Sequence, residues 1–175
     1  MASILKVNEI QHTGGTSALT MDSSGRVLQP TKPAFAVRNA RSSSYRGSNL
    51  FAGSDTTVIF DIGSDFATSG ANDGGFVAPV AGVYSFSVMG FTSNSAQNNA
   101  VGGFYIALNK NGSETGHKIY GYAAAADYNR FDNTQLLVLV AGDVIKVDVP
   151  GSNNYVWGGS GDLARAAQFQ GYLVG

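Results

Sequence analysis

The chain has no cysteine, only four prolines, and charged side chains at 13% of its 175 positions, against a usual ~25% for globular domains. Without cysteine there is no disulfide scaffold, no thiolate-held zinc and no thiol nucleophile. Eleven Lys and Arg nearly cancel twelve Asp and Glu, for a net charge of -1. That balance gives no counterion-release term for nucleic acid and no attraction to an acidic membrane. The longest apolar run, residues 136–141, is far too short to insert in a bilayer. The first residues lack a positive segment followed by an apolar stretch, so no secretory signal peptide is expected and the chain should fold in a cytoplasm. None of G-x-S-x-G, a P-loop, G-x-G-x-x-G, H-E-x-x-H or an EF-hand spacing occurs. The two histidines, His12 and His117, read as surface or strand-end residues, and Asp55, Asp61, Asp65, Asp73 and Asp127 as turn formers. No enzyme or cofactor is expected and no metal ligand is named, a structural Ca2+ at the loop aspartates being the alternative to turn formation.

What is present is glycine, 23 residues of it, with ten Phe and eight Tyr in a background of Ser, Thr and Asn. Such a surface repels copies of itself weakly and suits permanent assembly. Apolar and polar residues alternate with period two in short runs parted by Gly, Asn, Ser and Asp, so the chain reads as all-β. Residues 1–29 carry short strand candidates with too few apolar groups for a core, and they need partners. Pro30-Thr31-Lys32-Pro33 is a stiff hinge that marks the boundary, and residues 34–175 carry nine or ten strands of a sandwich or jelly roll. Asn111-Gly112 predicts a tight hairpin, and Ala141-Gly142-Asp143 the same kind of turn. Leu136-Leu137-Val138-Leu139-Val140 is apolar at every position, which predicts a strand covered on both faces, its second cover being a neighbouring subunit.

The blocks Thr57-Val58-Ile59-Phe60-Asp61, Gly75-Phe76-Val77-Ala78-Pro79-Val80-Ala81-Gly82-Val83-Tyr84-Ser85-Phe86, Leu108-Asn109-Lys110-Asn111-Gly112, Leu137 to Ile145 and Phe169-Gln170-Gly171-Tyr172-Leu173-Val174 resemble, in order and spacing, the C1q/TNF-like jelly roll. The resemblance implies a ten-stranded fold, a homotrimer around an apolar axis, and a binding role. It places Phe76, Tyr84, Phe86, Leu137, Leu139, Phe169 and Tyr172 in the core or trimer interface. The first 29 residues lack a Gly-X-Y stalk and resemble the β-rich leader of tailed-phage structural proteins. That likeness implies a virion protein, a tail-fibre tip or capsid decoration, contacting other virion proteins through residues 1–29. The alternative is a secreted C1q-like adhesion module.

Two groups are candidate ligand contacts. Arg38, Arg41 and Arg46 could grip an anionic glycan or a carboxylate by fork geometry, or stand as a solvated loop. Tyr155 and Trp157, beside Gly158-Gly159-Ser160-Gly161, could stack on host-surface carbohydrate, or serve as packing. Asn111-Gly112-Ser113 also spells a glycosylation sequon inside a predicted turn.

Overall fold

Short alternating runs become strands because each can bury one set of side chains and wet the other. The computed structural model describes residues 7–39, 49–92, 104–121, 130–150, 156–157 and 166–175. Three strands, β1 (Glu9–Gln11), β2 (Ser17–Met21) and β3 (Val27–Leu28), form a small antiparallel sheet of their own. No residue from 7 to 32 is buried, and the sheet is shaped by its turns. In one, the Asp22 carboxylate accepts the backbone N–H groups of Ser24 and Arg26 and pairs with the Arg26 guanidinium at 2.6 Å. These bonds, chiefly those from Arg26, hold its pKa below the ordinary value.

After Pro33 the chain builds a sandwich. One sheet runs β10 (Ser113–Gly121), β9 (Phe104–Lys110), β12 (Val144–Asp148), β7 (Gly75–Val77) and β6 (Phe66–Ala67). The other runs β11 (Arg130–Leu139), β8 (Gly82–Thr92), β14 (Ala167–Leu173), β4 (Ala34–Asn39) and β5 (Thr56–Ile62), with β13 (Val156–Trp157) also paired to β8. Between them lies an aromatic core. Phe35 stacks on Phe76 at 4.9 Å and meets Phe169 edge-on at 4.9 Å, while Phe86 stacks on Phe169 at 5.9 Å. Gly171 permits this closure, since a Cβ there would lie 2.6 Å from the Phe86 ring and 2.9 Å from Phe35.

The Asn111-Gly112 hairpin forms as expected, with φ of 52° and 85° joining Lys110 to its register partner Ser113. The Asn111 side chain is engaged at both ends, donating to Asp143 and accepting from Val144 N–H, so the sequon spelling is used by the turn itself. Ala141-Gly142-Asp143 is not a hairpin. The strands it separates, β11 and β12, lie in opposite sheets, so the turn is a corner that carries the chain across the sandwich. Residues 78–81 make a second crossing between β7 and β8, and the corners are tied by Ala78 N–H to Asp143 O and Gly142 N–H to Ala78 O, both 2.8 Å. Local alternation identifies a strand but not the sheet that accepts it.

Candidate interaction surface

The outer face of the β11-β8-β14-β4-β5 sheet changes character along the strands. Its register places Leu136, Ser85, Tyr172, Ala34 and Ile62 side by side in one row. The next row is Thr134, Ser87, Gln170, Ala36 and Phe60; the third is Asp132, Met89, Gln168, Arg38 and Thr57. Toward the corner at residues 140–143 the face is therefore aliphatic and aromatic, and toward the other end it is amide, hydroxyl and charge. Val138, 75% exposed, and Leu136, 62% exposed, stand at one edge, with Val140 just beyond the strand. At the opposite edge Val58, Ile59, Phe60 and Ile62 of β5 are also exposed.

The expectation that residues 136–140 are covered on both faces is corrected for the single chain. Leu137 and Leu139 point into the core, while Leu136, Val138 and Val140 are bare. Bare aliphatic side chains thus stand on a face that is polar further along the same strands, and the Lys110 ammonium donates to Val138 O at 3.4 Å on the edge strand.

Of the residues read from sequence as core or interface, Phe76, Tyr84, Phe86, Leu137, Leu139 and Phe169 are buried inside the sandwich, and Tyr172 is half exposed on the apolar row. The Tyr84 hydroxyl donates to Val80 O at 2.9 Å, and burial pushes its pKa up. Arg38 lies on the polar row, half-buried, its Nε without a hydrogen-bond partner among the described residues. Arg41, Arg46 and Tyr155 lie outside the described residues. Trp157 is placed by its backbone on β13, opposite Phe91. Sequence reasoning missed β5 as part of the apolar surface, although Val58-Ile59-Phe60 carries the same signal of consecutive apolar residues as residues 136–140.

The buried charge belongs to the corners. Asp143 Oδ2 pairs with Lys110 Nζ at 2.7 Å and accepts Val140 N–H at 2.8 Å, while Oδ1 accepts the Asn111 amide at 2.7 Å. The hydrogen bond from Lys110 first, then those from Val140 and Asn111, hold its pKa down at about 2. Near the leader, Asp61 accepts the N–H groups of Asp65 and Phe66 at 3.0 Å, and burial followed by the Asp61 charge pushes the Asp65 pKa up. Among the described residues no cluster of three or more His, Asp or Glu could hold a metal ion.

The two sheets, their crossing corners and the strand order can be set beside solved structures. The globular domain of zebrafish complement 1qA superposes with a TM-score of 0.59 at 18% identity, over 82% of this chain and 98% of that one. The fold is a C1q/TNF-type jelly roll. Murine APRIL gives 0.58 at 12% identity, over 82% of this chain and 99% of that one, and the Eiger TNF of S. frugiperda gives 0.56 at 14%, over 82% and 94%. At these identities the C1q/TNF likeness is one of fold. By sequence, no family model and no characterised protein matches the chain.

Proposed function

We propose that this chain is a non-catalytic recognition module that works as a homotrimer and is displayed by its N-terminal β segment on a larger particle. The observation that carries the reading is the exposed apolar row Leu136–Tyr172–Ile62, extended by Val138 and Val140. A three-fold ring would bury that row with identical surfaces and leave no open end. The C1q/TNF-type fold supports the same arrangement through the assembly that the family resemblance implies. Three copies of every loop would then multiply weak contacts, such as those with host-surface carbohydrate.

The small β1-β2-β3 sheet supports display. Ile10, Met21, Val27 and Leu28 are exposed on it and no residue there is buried, so it has apolar surface to give to a partner and no core of its own. Its likeness to the leaders of tailed-phage structural proteins favours a virion appendage, made in the host cytoplasm and attached to other virion proteins through residues 1–29. The likeness to a complement globular domain favours, as a second reading, a secreted adhesion module with the same trimer. Light scattering on the purified chain should return three times 18.2 kDa. A stable mass of one chain would reject the trimer and the avidity that depends on it.

A further inference from the structure

The opposite face of the sandwich carries a different feature. On the β10-β9-β12-β7-β6 sheet a groove of about 700 Å³ runs between the loop at residues 49–52, the 3-10 turn Gly70–Asn72 and the Asn111-Gly112 hairpin. Its volume lies within the range of small-ligand sites. Its floor is the wet side of β9 and β12, where Asn109, Lys146 and Asp148 point outward while Leu108, Ile145 and Val147 point to the core.

The polar groups of this groove are held in place before any ligand arrives. Asp148 accepts Asn49 N–H at 2.7 Å on one oxygen and the Asn109 amide at 2.9 Å on the other. Lys146 Nζ donates to Ala71 O at 3.1 Å. The rim is clamped as well: the Asn49 amide donates to Asp73 O, and Gly53 N–H to Asp73 Oδ2 at 3.1 Å. At Gly74 (φ 72°) a Cβ would lie 2.5 Å from Ala52 N, so the two rim loops touch through backbone. Bonding capacity remains after these contacts. Lys146 keeps two N–H donors, each Asp148 oxygen keeps a lone pair, and the exposed Asn72 amide has no hydrogen bond among the described residues.

The chemistry of the lining selects a ligand class. Among the lining side chains one lysine and one aspartate cancel, and the Asp73 carboxylate stands at the rim, so an anion gains no net Coulomb attraction. The amides offer donors and acceptors side by side, and the apolar lining is limited to small groups such as Ala52, Ala71 and Val144. A ligand that satisfies such a wall is uncharged and dense in hydroxyls, since each hydroxyl both donates and accepts. We propose that this groove is a saccharide-binding site for neutral sugars, one per chain, on the sheet face remote from the apolar row. Because Asn109, Lys146 and Asp148 are already oriented, binding to them loses little rotamer entropy. The inference deepens the recognition reading by naming a ligand class and its location, and it rests on that reading only for the avidity of three copies.

The test uses the full-length chain on a printed array of neutral, sialylated and sulfated oligosaccharides, with its mass measured in parallel. Neutral oligosaccharides should bind. Ala71→Trp, on an exposed turn at the rim, should abolish the signal by filling the groove, and Asn72→Ala should weaken it about tenfold, the worth of a hydrogen bond or two. Trp157→Ala should leave it unchanged. If Ala71→Trp alters the melting temperature, Asn72→Ala carries the result alone. An array blank for neutral sugars, binding confined to sialylated or sulfated spots, or binding that survives Asn72→Ala and disappears with Trp157→Ala would overturn the proposal. A trimeric mass with a blank array rejects the groove and keeps the trimer; a monomeric mass with neutral-sugar binding does the reverse.

Discussion

The two outward faces of the sandwich are built by the same backbone rule and end with opposite chemistry. On β11 and β5 the residues turned away from the core include Leu136, Val138, Phe60 and Ile62; on β9 and β12 they are Asn109, Lys146 and Asp148. Period-two alternation decides only which side chains leave the core. What those side chains are then decides whether the face seeks a surface like itself or a ligand from solution. A bare aliphatic row gains by being removed from water, at roughly 25 cal/mol for each Å² buried. A row of amides with a lysine and an aspartate gains nothing from burial against a flat apolar partner, because its bonds to water would have to be replaced.

The contrast breaks most sharply at Val138. Its side chain is three-quarters exposed, so Val138→Lys should leave the single chain folded, yet it would place a charge in the apolar contact. The expected result is a fall in mass from three chains to one at micromolar concentration, with a circular dichroism spectrum unchanged. A variant that stays trimeric would move the interface elsewhere. A smaller effect is expected from removing residues 1–29. If the sheet face is sufficient for the proposed association, the shortened chain returns the mass of three chains and loses only the proposed attachment through residues 1–29. A monomeric truncation would instead give the small β1-β2-β3 sheet a share in holding the subunits together.

The all-β class and the Asn111-Gly112 hairpin were legible because their signals are local: a period of two, and a dipeptide able to adopt positive φ. Tyr84 and Phe86 were placed in the core or trimer interface by the C1q/TNF-like resemblance, and they lie in the core, with Ser85 and Ser87 alternating with them. The corner at residues 141–143 was not, because a turn between two strands looks alike whether the second strand returns to the same sheet or crosses to the other. The groove was invisible for a stronger reason. Its residues come from positions 49, 72, 109, 146 and 148, and only strand pairing far along the chain brings them together. The aliphatic face was half legible: residues 136–140 announced it, but the matching run in β5 has the same composition as a core strand and declares its exposure only through its place at the sheet edge.

The subtlest expected effect concerns Asp143, which ties the crossing corner to the hairpin and stands on neither face. Its carboxyl side chain is nearly buried and holds Lys110, Val140 N–H and the Asn111 amide together. With its folded pKa lowered to about 2 from 3.8, the folded state binds fewer protons than the unfolded one between those values. The stabilisation is therefore complete above the unfolded value and is lost as pH falls from about 4 through about 2. Thermal melts across that window should show the wild-type chain losing stability more steeply than Asp143→Asn, which has no proton to take up at this site and begins from a lower melting temperature at pH 7. Parallel slopes for the two proteins would mean that the Lys110 pair is screened by solvent and that the acid sensitivity comes from other carboxylates. Because the corner adjoins Val140, a looser corner should also loosen the aliphatic row, so mass and melting should fall together in acid.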